Sequence, residues 1–78
     1  MNYLAYSAAL ERLHLLISRK ATGSPEKLTE KFGVSLGTIN NMIKTLRLKG
    51  LPILYDRERE TYYYEYEMEI IIFSVKPK

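Results

Sequence analysis

Few side chains in this 78-residue sequence have the right types for chemistry, and what is missing narrows the possibilities quickly. It has one histidine, His14, and no cysteine, so it cannot assemble a thiolate nucleophile, a disulfide framework or a Cys-based zinc site. With no second histidine to complete a metal site, His14 reads as a surface or part-buried imidazole on a helix. The carboxylates fall mostly along one extended segment, Asp56 to Glu69, and give no nucleophile–base pair and no converging acid pair. Neither catalysis nor a metal or cofactor is expected. What remains is recognition chemistry. The Asn40 and Asn41 amides have the donor and acceptor that adenine presents, and Lys44 has the charge that a phosphate requires. Each also has a plain reading as a solvated helix residue. Arg57 and Arg59 alternate with Glu58 and Glu60, which suits a phosphate contact or a locally neutral hairpin tip equally well. The tyrosines Tyr62, Tyr63, Tyr64 and Tyr66 could stack on bases, but on an alternating strand they are expected to pack a sheet.

Regular elements must position these residues, and the sequence marks their ends. From Asn2 to about Arg19 there is no Gly or Pro and much Leu and Ala, which predicts a helix. Tyr6, Leu10, Leu13 and Ile17 fall on one face of it. Leu4, Ala8 and Leu15 form an adjoining stripe beside Ala5, Ala9 and Leu16, wider than one small domain needs. Thr22 and Gly23 are read as the stop. Ser24, Pro25 and Glu26 announce a second helix through a side-chain acceptor, a proline at the first turn and an acid at the positive dipole end. It runs to about Phe32, with Leu28 and Phe32 inward, and Gly33 ends it. Ser35 is the expected cap of a third helix that stops at Gly50. There Ile39, Ile43 and Leu46 face the core, which leaves Leu36, Gly37, Asn40, Asn41 and Lys44 on a polar outward face without acid. After Gly50 the period changes to that of strands. Pro52 to Tyr55 and Thr61 to Tyr66 flank Asp56 to Glu60, a hairpin tip. Tyr62, Tyr64, Tyr66, Met68, Ile70 and Ile72 continue one apolar face, and near Ile70 the opposite face turns apolar too, with Ile71, Phe73 and Val75. An unbroken strand from Thr61 to Val75 would reach about 50 Å at ~3.3 Å per residue, so it must bend, break or meet a neighbour.

Composition sets the class. A single domain of this length buries only about 60% of the surface of its unfolded chain, so its stability is modest. The net charge is +3, but residues 1–50 carry eight basic groups against three acidic ones, while residues 51–78 carry four against six. The positive field therefore belongs to the first two thirds and favours an anionic partner. The longest apolar stretches, Leu13 to Ile17 and Ile70 to Phe73, fall far short of the roughly 20 residues of a membrane span, and no signal-peptide pattern opens the chain. A cytoplasmic protein is expected.

Two short helices joined across Phe32-Gly33-Val34-Ser35, the second with a polar face, form a helix-turn-helix arrangement. The run Gly23-Ser24-Pro25-Glu26-Lys27-Leu28 through Ser35, then Thr38-Ile39, Ile43 and Leu46, then Gly50-Leu51-Pro52-Ile53 and Tyr55-Asp56, resembles the winged helix domains of DeoR-type and biotin-repressor-type bacterial transcription regulators over about residues 10 to 66. The resemblance implies an α+β winged helix-turn-helix, a three-helix bundle followed by a β-hairpin wing and an extended C-terminal strand. It also implies that the third helix reads the major groove of double-stranded DNA while the wing touches the neighbouring backbone. On that basis the DNA-binding positions are Ser35, Leu36, Gly37, Thr38, Asn40, Asn41, Lys44, Arg57 and Arg59. Family members often carry basic residues just after the turn and near the middle of this helix, where this chain has Leu36, Gly37, Asn40 and Asn41. The expected organisation is one domain over 1–78, with a core at 10–66, a helical extension at 1–9 and a strand and tail at 67–78. The expected function is sequence-specific DNA binding by a small regulator or mobile-element accessory factor. A homodimer is expected through the N-terminal helix and C-terminal strand. The alternative is a protein-interaction module on the same fold.

Overall fold

The computed structural model describes residues 3–66. Three helices, α1 (Tyr3–Ser18), α2 (Pro25–Phe32) and α3 (Leu36–Leu48), precede an antiparallel hairpin of β1 (Ile53–Asp56) and β2 (Thr61–Tyr64). This is the α+β winged helix expected from the sequence. The register pairs Ile53 with Tyr64 and Asp56 with Thr61, leaving a four-residue tip, Arg57 to Glu60. Asp56 Oδ1 accepts hydrogen bonds from the Glu58 and Arg59 amides, at 2.9 and 3.1 Å. The tip is thus a turn organised by Asp56, with Glu60 in the left-handed region at φ 53°.

One core joins all five elements. Leu10, Leu13 and Ile17 of α1 meet Leu28 of α2, Ile39, Met42, Ile43 and Leu46 of α3, and Leu51, Ile53, Tyr62 and Tyr64 of the wing. Each such aliphatic side chain contributes roughly 1.5–3 kcal/mol relative to exposure. Met42 belongs to the inward face of α3 together with the three residues anticipated there. The wider apolar sector of α1 divides: Ala9, Leu15 and Leu16 are half-buried, whereas Leu4, Ala5 and Ala8 are exposed.

The caps of α2 and α3 are those the sequence signals. Ser24 accepts from the Lys27 amide and Ser35 from the Thr38 amide, both at 3.2 Å, and Gly33 is left-handed at φ 65°. The end of α1 corrects the expectation that Thr22 and Gly23 stop it. Lys20 is the left-handed residue, at φ 55°, and the Ala21 and Lys20 amides donate to the carbonyls of Leu16 and Ile17 at 2.9 and 3.0 Å. That is the two-bond closure usually built on glycine.

Thr22 has a different task, as a buried link between the α1–α2 connection and the wing. Its hydroxyl donates to the Gly23 carbonyl at 2.9 Å and accepts from the Tyr62 amide at 2.8 Å. The Thr22 amide in turn donates to the Thr61 hydroxyl at 3.3 Å, which donates to the Tyr62 carbonyl at 3.0 Å. The outer edge of β2 is therefore covered at Tyr62, which satisfies a backbone donor that burial would otherwise leave costly.

His14 also departs from expectation, being fully buried where a surface or part-buried position was foreseen. It shares the inward face of α1 with Leu10, Leu13 and Ile17, and that face is turned toward β2. Its Nδ1 and the Tyr64 hydroxyl are hydrogen-bonded at 2.7 Å, with the rings tilted and 5.4 Å apart. Tyr66 does not extend the apolar face of β2, because the strand ends at Tyr64 and Tyr66 is 62% exposed. The long run from Thr61 is thus interrupted. Its later part, Met68 and Ile70 to Val75, lies outside the described residues, as do Asn2 and the 67–78 tail.

Candidate nucleic-acid interface

The position of α3 is set from behind. Ile39, Met42, Ile43 and Leu46 are buried, the Tyr6 hydroxyl lies 3.1 Å from that of Thr45, and Arg47 Nη2 donates to the Ile53 carbonyl at 3.1 Å. Because Thr45 donates its own proton to the Asn41 carbonyl at 2.8 Å, Tyr6 is the donor in its pair. α3 is thus tied to α1 by Tyr6 and to the start of the wing by Arg47.

With that side occupied, Leu36, Gly37, Asn40, Asn41 and Lys44 are all exposed, and at 100° per residue they share one sector of the helix surface. Ser35 and Thr38 stand at its entrance in a different role. Their hydroxyls lie 3.1 Å apart, and Ser35 caps the helix, so both have partners within the chain. Thr38 is half-buried. The structure therefore brings seven of the anticipated positions to one end of α3 and divides them between an exposed face (Leu36, Gly37, Asn40, Asn41 and Lys44) and the capping pair Ser35 and Thr38. Arg47 and Leu48 lie on the same sector. Neither was named from the sequence, although Asn40, Lys44 and Arg47 follow the i, i+4, i+7 spacing; the Arg47 guanidinium is directed to the Ile53 carbonyl.

Arg57 and Arg59 stand apart on the wing tip. The tip is turned, not extended, so strand alternation does not assign them to opposite sides. Arg59 Nε approaches Asp56 Oδ2 at 3.9 Å, an exposed pair of little energetic weight that still draws Arg59 back toward β1. Arg57 has no such partner among the described residues. No hydrogen bond or ion pair among those residues joins the tip to α3.

Of the four clustered tyrosines, two pack the sheet, while Tyr63 is half-buried and Tyr66 is exposed beyond the end of β2. Tyr62 and Tyr64 are buried, and Tyr55 meets Tyr62 with ring centroids 4.8 Å apart. Burial pushes the phenols of Tyr62 and Tyr64 above their ordinary range, so they remain neutral core members and not faces open to bases. Burial also lowers the His14 pKa from its ordinary 6.5, against a smaller opposing effect of Glu11. Among the described residues no group of three or more His, Asp or Glu is placed to hold a metal ion, and no helix is long and apolar enough to cross a membrane.

A family model described as an HTH domain matches residues 9–64, from the middle of α1 to the end of β2. No curated protein and no solved structure matches the chain.

Proposed function

The chain belongs to the helix-turn-helix (HTH) domain family, and from that premise we propose that it is a small transcriptional regulator or mobile-element accessory factor. In this reading it binds duplex DNA sequence-specifically, as a homodimer, in the cytoplasm of a bacterial cell. Membership carries DNA binding and a regulatory role, and domains of this kind are typically non-enzymatic. The observation that supports the finer reading is the division of α3 into a wholly packed side and an exposed side of Leu36, Gly37, Asn40, Asn41 and Lys44. A helix must be presented in this way to enter a major groove about 12 Å wide. Lys44 neutralises a phosphate, Asn40 and Asn41 meet base edges, and Ser35 with Thr38 holds the entering turn in shape. The wing, through Arg57 and Arg59, touches the neighbouring backbone. The binding unit is residues 10–66, within a single domain.

Leu4 and Leu48 are 77% and 78% exposed, which favours a second reading as a protein-interaction module on the same fold. A gel shift with mixed genomic fragments over a salt series separates the two, because counterion release makes DNA affinity fall steeply with salt. Lys44→Ala is expected to weaken binding to every duplex about equally. Asn40→Ala or Asn41→Ala is expected to alter preference at particular bases, by ~1–3 kcal/mol for each bidentate pairing with a base that the variant can no longer make. If no shift appears even at the lowest salt, the regulator reading fails in favour of the interaction module.

A further inference from the structure

Gly37 is a glycine that the fold does not explain. Gly23, Gly33 and Gly50 occupy left-handed turns, but Gly37 is the second residue of α3, with right-handed helical backbone, and is exposed. A Cβ placed on it would meet only the Ser35 hydroxyl, at an ordinary 3.8 Å. Glycine weakens a helix relative to alanine, and nothing inside the chain requires that loss here.

The residues around Gly37 point outward to the reason. Leu36 is 42% exposed despite being apolar, Asn40 and Asn41 are exposed, and α3 carries no charged side chain before Lys44. In the major groove guanine is read chiefly by Arg or Lys, adenine by the bidentate amide of Asn or Gln, and the thymine C5-methyl by apolar contact. The first turns of a recognition helix are the ones that reach base edges. Here those turns have partners for adenine and thymine and none for guanine.

Resting on the reading that α3 enters the major groove, we infer that this protein selects A·T-rich duplex DNA. Leu36 packs on a thymine methyl, Asn40 or Asn41 pairs with adenine, and Gly37 is where the groove comes closest to the helix backbone. Lys44, a turn further on, contributes phosphate attraction without base preference.

The test uses the full chain and fluorescence anisotropy at low salt against four pools of random-sequence duplexes: A·T, A·T with deoxyuridine in place of thymidine, G·C, and inosine·cytosine. The last pool presents a G·C-like major groove and an A·T-like minor groove. The A·T pool is expected to bind at least about five-fold tighter than G·C, the lower end for one bidentate contact, with inosine·cytosine behaving as G·C. Uracil is expected to cost about four-fold per contacted methyl, the equivalent of ~0.8 kcal/mol, in the parent and nothing in Leu36→Ala. Gly37→Ala is expected to raise the urea midpoint while lowering A·T affinity several-fold, a combination that a merely structural glycine would not produce. Equal binding of the A·T and G·C pools, A·T-like binding of inosine·cytosine, indifference to uracil, or unimpaired binding by Gly37→Ala would each overturn the inference while leaving DNA binding intact. Binding to none of the pools would overturn the DNA reading as well.

Discussion

His14 shows how one buried side chain links pH to stability. Burial lowers its pKa below the ordinary 6.5, so as the pH falls the unfolded chain takes up the proton before the folded one does. Stability is therefore complete above about pH 6.5 and declines as the pH drops from there toward the folded-state value. The groups beside it are Tyr64, a neutral hydrogen-bond partner, and Glu11, whose charge partly opposes the shift. Urea midpoints measured from pH 7.5 down to pH 5 should fall for the parent chain and stay nearly level for His14→Gln. A level profile in the parent would remove His14 from the account. The same pair explains Tyr64, whose hydroxyl spends its bonding capacity on the imidazole inside the core.

At the level of elements, the wing is held by a polar link as well as by packing. Thr22→Val keeps the shape but removes the hydroxyl that accepts from the Tyr62 amide, which should cost about 1–3 kcal/mol as a buried donor loses its partner. Urea denaturation measures this, and a loss below a few tenths would mean that the wing is seated by apolar contact alone. The tip arginines should separate in a salt series. Because Arg59 leans on Asp56 and Arg57 does not, Arg57→Ala should lower the slope of log affinity against log salt by about one unit, and Arg59→Ala should lower it less. Equal slopes in both variants and the parent would leave the wing without a phosphate contact. These elements were legible in the sequence to different depths. Ser24-Pro25, Gly33, Ser35 and Gly50 act on backbone within a turn or two of themselves, so the bounds of α2 and α3 could be read directly. Periodicity exposed the polar face of α3 for the same reason. The end of α1 was misplaced because a lysine stands where glycine is usual, and because the significance of Thr22 depends on partners about 40 residues away. Burial of His14 likewise depends on Tyr64, 50 residues distant, and no local pattern announces it.

For the molecule as a whole, the proposed pairing sets the mass of the binding unit. The exposed Leu4 of α1, with the apolar Ile71, Phe73 and Val75 of the sequence, forms the basis for the proposed two-fold pairing, which would double the proposed phosphate contacts of the sparsely charged α3. Sedimentation equilibrium should return about twice the 9.1 kDa of one chain for the parent, and one chain for Leu4→Glu or Phe73→Glu. A parent that sediments as a single chain in the micromolar range would end the proposal. The link from Thr22 to Thr61 and Tyr62 also bears on how the chain folds. The caps of α2 and α3 are local and can form as soon as those segments exist, but the side of α1 that carries His14 stays uncovered until Tyr64 arrives. Synthesis proceeds from the N-terminus, and contacts across long loops close late. α3 is thus made before the strand that completes the core supporting it. A chain halted near Gly50 would hold every residue of the α3 face without the wing that fixes where that face points.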